Sequence, residues 1–170
     1  MKELMKSNIY DVNETIIVVG SCLKNMQLDG YQKLQKISTN IYELCLEETH
    51  INMAITKIGG MLRTNKIKRI IFASVDKSPH CIQLHYIQDE LRKMMNLSNI
   101  EIENYVVVDN KLIKINPETI SLSKNLSKLS NLNAKGKWKK MENRQNSINI
   151  NWVSRIYGKP PIITYKIKKN

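Results

Sequence analysis

Acidic residues almost vanish from the last third of this chain. Of its 170 residues, positions 111–170 carry 14 Lys and Arg against only Glu118 and Glu142, so the whole net charge of +12 lies there. Positions 1–110 carry 13 charges of each sign and are neutral. The split predicts a neutral folded body, residues 1–130, followed by a basic Lys/Asn-rich extension, residues 131–170. Cysteine is also scarce. Cys22, Cys45 and Cys81 are far apart and form no CxxC, which excludes a zinc ribbon or a local four-cysteine cluster. The opening MKELMKSNIYDVNE lacks the apolar stretch of a signal peptide, and the longest apolar run, IIVV, is far too short to cross a bilayer. The chain therefore reads as cytoplasmic, with reduced thiols and no membrane partner. It has no GxGxxG and no GxxxxGK followed by Ser or Thr, so it carries no nucleotide fingerprint.

What is present is a 42% hydrophobic chain, long enough for one core. Thr15–Gly20, TIIVVG, reads as a buried strand ending at Gly20-Ser21-Cys22. Tyr31, Leu34, Ile37, Ile41 and Leu44 recur at helical spacing and predict a helix over 31–46, and Ile51, Ile55, Ile58 and Leu62 predict another over 51–64. Ile70–Ala73 is a second buried strand. Ser78-Pro79 resembles a cap followed by a first-turn proline, opening a helix to about Met95. Ile100–Val108 and Lys111–Ile115, separated by Asp109-Asn110, predict a hairpin. Asn116-Pro117 opens a further helix through Ile120, Leu122, Leu126 and Leu129. Ile162–Lys168 alternates like a one-sided terminal strand. Strands alternating with helices predict an α/β fold: a single-domain mixed, mainly parallel sheet with flanking helices, a Rossmann-like layered sandwich.

The candidate site is the stretch IIFASVDKSPHC. A strand there hands an acid, a hydroxyl, an imidazole and a thiol to a helix start, where open α/β folds bind ligands. On a helical wheel His80 falls at the centre of the apolar face with Leu84, Ile87 and Leu91, and Cys81 and His85 lie beside it. Cys22 comes to the same edge if the two strands are neighbours. The expected ligand-binding set is Cys22, Asp76, Ser78, His80 and Cys81. Zinc suits thiolate and imidazole, with Cys22, His80, Cys81 and His85 as the candidate ligands. Thiol chemistry is a second reading, with Cys81 at the third helical position and its pKa lowered by the helix N-terminus. Anion binding at Pro79 and Gly20-Ser21 is a third. The same residues also read as packing: Cys22 closing a strand, His80 a hydrogen-bonded core histidine, and Cys45 a core residue of the long helix.

Two families share parts of this layout. Cys22 after one strand, with His80 and Cys81 after the next, resembles the zinc site of β-class carbonic anhydrases. That family has Cys-x-Asp-x-Arg and His-x-x-Cys turns. Here Cys22-Leu23-Lys24-Asn25 lacks the Asp/Arg pair and His80 adjoins Cys81, so the resemblance implies a similar layout at most. IIFASVDKSPHCIQLH resembles the strand, Ala-x-Asp-x-x-Pro turn and helix of the kink-turn-binding ribosomal protein family, with Asp76, Pro79, Leu84 and His85 in matching places. That resemblance implies an α/β/α sandwich and RNA as a partner. Its RNA-contacting Gly-x-Asn-Glu-x-x-Lys helix start has no counterpart here.

Two functions are therefore expected. The body is a cytoplasmic small-ligand or metal-binding protein using the Cys/His/Asp cluster. Alternatively, the basic extension binds RNA or DNA through Lys137, Trp138, Lys139, Lys140 and Arg144, with Trp and Tyr available for stacking.

Overall fold

The computed structural model describes residues 2–134, with side chains through residue 132. The described residues fall into two units that part between residues 121 and 122. The first holds a six-stranded sheet in the order β1-β3-β2-β4-β5-β6. Its strands are β1 Lys2–Glu3, β2 Thr15–Gly20, β3 Ile41–Leu44, β4 Arg69–Val75, β5 Glu101–Val108 and β6 Lys111–Lys114. Only β5 and β6 run antiparallel; every other pairing is parallel. The fold is α/β with a mixed, mainly parallel sheet and flanking helices, as the strand–helix alternation predicts.

The sheet is covered on both faces, and β2 is apolar from Ile16 to Val19 for that reason. Ile16 and Val18 join one core with Ile70 and Phe72, under α3 (Ile51–Leu62) and α4 (Ile87–Met94). Ile17 and Val19 join the other with Ile71 and Ala73, under α1 (Leu23–Met26) and α2 (Leu28–Ile37). All four β2 side chains are fully buried. The first crossover leaves β2 for β3, and the second returns past β2 to β4. Right-handed crossovers in opposite directions must use opposite faces, so the chain divides its helices at β2.

Three expectations about elements are corrected. The helix over 31–46 ends at Ile37, and Ile41 and Leu44 belong to β3. Ser38 turns extended, its hydroxyl donates to the Thr15 carbonyl at 2.8 Å, and it accepts from the Asn40 N–H at 3.1 Å. That tie to the start of β2 aims the next four residues into the sheet, where burial on both faces suits Ile, Tyr and Leu equally. The 80–95 helix is a 3-10 segment, Cys81–Tyr86, followed by α4. The helix after Pro117 is two helices, α5 (Pro117–Ser123) and α6 (Leu126–Ala134), because Asn125 stops the first and its side chain accepts the Lys128 N–H of the second. The terminal strand over 162–168 lies outside the described residues.

The hairpin is present with its turn at Asp109 and Asn110, at φ 47° and 59°. Two consecutive left-handed residues match the right-handed twist of the strands they join. Asn110 also clamps the start of α2. Its side-chain oxygen accepts from the Gly30 N–H, its own N–H donates to Gln27 Oε1 at 2.7 Å, and its carbonyl accepts from Lys33 Nζ at 2.9 Å. Gly30 permits this approach, since a Cβ there would lie well inside contact distance of Val107 Cγ1.

Gly30→Ala should therefore destabilise the protein by about 1–2 kcal/mol, overpacking outweighing alanine's helical preference. Urea unfolding measures this. Val107→Ala reopens the space, so the double variant should be more stable than the two single losses added together.

Candidate functional site

The chain leaves β2 toward the face covered by α1 and α2 and leaves β4 toward the face covered by α4, so the carboxyl edge between them is the crevice position of an open α/β sheet. This is where open α/β sheets hold ligands. β2 delivers Gly20, Ser21 and Cys22, the last exposed at the start of α1. β4 delivers Asp76, Lys77 and Ser78, with Lys77 in the left-handed region at φ 65°. β3, on the far side of β2, ends beside them: Leu44 is the register partner of Gly20, and its carbonyl accepts the Ser21 N–H at 3.1 Å. The parallel β2–β4 pairing, Val19 opposite Ala73, brings the Cys22 and Asp76 segments to one edge as expected.

Cys81 packs against the end of β2. Its Sγ lies 2.8 Å from where a Cβ on Gly20 would stand, so only glycine fits beneath it. The Ser78 hydroxyl accepts the Cys81 N–H at 3.2 Å, but the helical segment starts at Cys81 with His80 at its N-cap, two residues later than the expected Ser78-Pro79 start. The expected activation of this thiol is reversed. Cys81 is 8% exposed, and burial pushes its pKa up. The hydrogen bond with Ser78 opposes that shift, and the neighbouring thiols of Cys22 and Cys45 add to it. Desolvation of the thiolate outweighs the few N–H groups of a short 3-10 turn.

His80 is likewise corrected. Its side chain is 47% exposed and faces Glu47, with Nδ1 at 3.7 Å from Oε2. Backward from Leu84, a 3-10 winding advances about 120° per residue against about 100° for an α-helix, which turns position 80 off the apolar face. His85 takes the buried place instead, 3% exposed. Its Nδ1 donates to Asn104 Oδ1 at 2.9 Å, and its Nε2 accepts from the Ser74 hydroxyl at 2.8 Å. Asn104 in turn donates to Gln88 Oε1 at 3.2 Å. Both ring nitrogens are committed, so His85 is a link between β4, β5 and α4, and it lies outside the set of groups open to a ligand.

Among the described residues, no three His, Cys, Asp or Glu side chains are arranged to hold a metal ion. The sequence reading missed Cys45 and Glu47 as crevice residues. Cys45 follows a strand and is partly exposed, a position hidden while 31–46 read as helix. A second concavity, about 410 Å³, lies between β5, β6 and the start of α5, lined by Glu103, Asn104, Lys114, Asn116 and Thr119. Its carboxylate is already paired with Arg69 and Lys114. Burial pushes the Glu103 carboxyl up, but those two cations outweigh it and hold it below its usual range. The predicted nucleic-acid residues Lys137, Trp138, Lys139, Lys140 and Arg144 lie outside the described residues.

Burial holds the His85 pKa down, the Asn104 contact only partly opposing it. The folded ring therefore stays neutral at a pH where the unfolded ring takes a proton. Its contribution to stability is complete above about pH 6.5 and is lost as pH falls through that value toward the lower folded pKa. Urea midpoints should drop between about pH 7 and pH 5, and His85→Gln should flatten that dependence.

No curated protein and no solved structure matched this chain. No helix among the described residues is long and apolar enough to cross a membrane. A family model described as a Rossmann-like domain matches residues 11–142, spanning β2 through α6 and therefore the whole crevice. With a mainly parallel sheet, helices on both faces and that match over most of its length, the chain belongs to this Rossmann-like domain family.

Proposed function

We propose that this protein binds a small polar ligand in the crevice between β2 and β4. The observation that carries the reading is the change of crossover direction at β2, which leaves two loop ends apart at the carboxyl edge. The groups there are a thiol (Cys22), a carboxylate (Asp76), a hydroxyl (Ser78) and an imidazole beside a carboxylate (His80 with Glu47). A dinucleotide in the usual glycine-loop manner does not fit. The space over Gly20 is filled by Cys81 Sγ, and α1 is a single turn.

Amide NMR spectra of the full chain, titrated separately with zinc chloride, inorganic phosphate and adenosine monophosphate, test this reading. At least one probe should shift Ser21–Leu23 and Asp76–Cys81 together. Cys22→Ser with Asp76→Ala should weaken that response at least tenfold. Shifts confined to other residues, or none with any probe, count against the crevice.

The charge distribution supports a second reading, nucleic-acid binding by the basic extension, since every net positive charge lies beyond residue 110. Phosphate neutralisation releases counterions, so affinity for a single-stranded RNA should fall steeply with salt. Changing Lys137, Lys139, Lys140 and Arg144 to glutamine should reduce the slope of log K against log salt by about 3, at about 0.7 per contact. An unchanged slope assigns the binding elsewhere, and no retention by the full chain removes this reading.

A further inference from the structure

All three cysteines of the chain come to the carboxyl edge of the sheet, from three different strands. Cys22 stands two residues beyond Gly20 and is exposed. Cys45 follows Leu44, the register partner of Gly20. Cys81 places its sulfur against Gly20 itself, where no side chain intervenes. Cysteines separated by 23 and 36 residues in sequence thus come to one edge of the sheet.

We propose that Cys22 and Cys81 form a reversible disulfide across the crevice when the protein meets a hydroperoxide. Cys22 is the accessible member and reacts first. Its sulfur attacks one peroxide oxygen, the O–O bond breaks, and the other oxygen leaves as water or alcohol, converting Cys22 to a sulfenic acid. The Cys81 sulfur then attacks the Cys22 sulfur. The S–S bond forms, the S–O bond breaks, and hydroxide leaves with the proton released by Cys81 as water. The hydroperoxide has gained the two electrons the thiols lost, and an added dithiol returns them.

Geometry selects Cys81 over Cys45 as the partner. Cys81 approaches β2 through its sulfur, whereas Cys45 is its neighbour along the backbone ladder. The electrostatic effect of Cys22 on the Cys81 thiol also exceeds that of Cys45. Cys22 is exposed and meets the oxidant, whereas Cys81 is buried against β2 and is reached only by a neighbouring sulfur. The bridge would tie the segment after β4 to the end of β2 and close the crevice. That consequence rests on the ligand reading above, whereas the bridge itself can be read with no ligand present.

The test uses the full reduced chain, treated with a few equivalents of hydrogen peroxide, alkylated with N-ethylmaleimide and digested without reduction. Mass spectrometry should find a Cys22–Cys81 linked peptide with Cys45 alkylated, and dithiothreitol should abolish the link. Cys45→Ser should keep it. Cys81→Ala should leave Cys22 as a sulfenic acid that dimedone traps. A Cys22–Cys45 link, cross-links only between molecules, or alkylation of all three thiols after peroxide would overturn the proposal. None of those outcomes bears on the NMR titrations, and a failed titration leaves the peptide map intact.

Discussion

The parallel pairing of β2 with a neighbour on each side governs the rest of this structure. A strand held between β3 and β4, with helices above and below, must be apolar on both faces, and Ile16, Ile17, Val18 and Val19 meet that demand. Parallel neighbours cannot be joined by tight turns, so each connection must cross a face. Because the connections on the two sides of β2 use opposite faces, their loops separate at the carboxyl end. That divergence at the carboxyl edge follows from topology, before any side chain is considered.

The side chains then divide by solvent access. On one side of β4 lies a sealed relay, Ser74, His85, Asn104 and Gln88, each at most 3% exposed. Its hydrogen bonds tie β4 and β5 to α4, and the Gln88 side-chain nitrogen alone is left buried without a partner. Such a network specifies how a core assembles, because a shift of one element leaves a buried polar group without its partner. At the carboxyl edge, Cys22 and His80 are exposed and His80 has only a long contact with Glu47. The chain thus spends one histidine on architecture and leaves another open to solvent, within five residues of each other.

Much of the fold was legible in the residues alone. TIIVVG and the run before Asp76 are strands because continuous apolar stretches of that length need burial on both faces. Asp109-Asn110 is a hairpin turn because both residues tolerate positive φ. Asn116-Pro117 starts a helix because Asn116 can accept the Thr119 N–H, at 2.9 Å, and proline needs no donor there. The errors have a common origin. Ile37, Ile41 and Leu44 fit helical spacing, yet a four-residue strand buried on both faces has no periodicity of its own to set against it. Cys45 and Glu47 were lost to the site with that strand. His80 and His85 exchanged roles because the wheel assumed α-helical winding where the chain takes a 3-10 turn.

The sequence by itself determined the fold class and the asymmetry of charge, because apolar runs, cap residues and charges act locally or by simple summation. Only the tertiary structure decided which edge the three thiols share, which histidine is sealed and why a side chain at Gly20 or Gly30 would crowd its neighbour. Those depend on strand order, register and helical winding, which bring residues tens of positions apart into contact and leave no trace in local spacing.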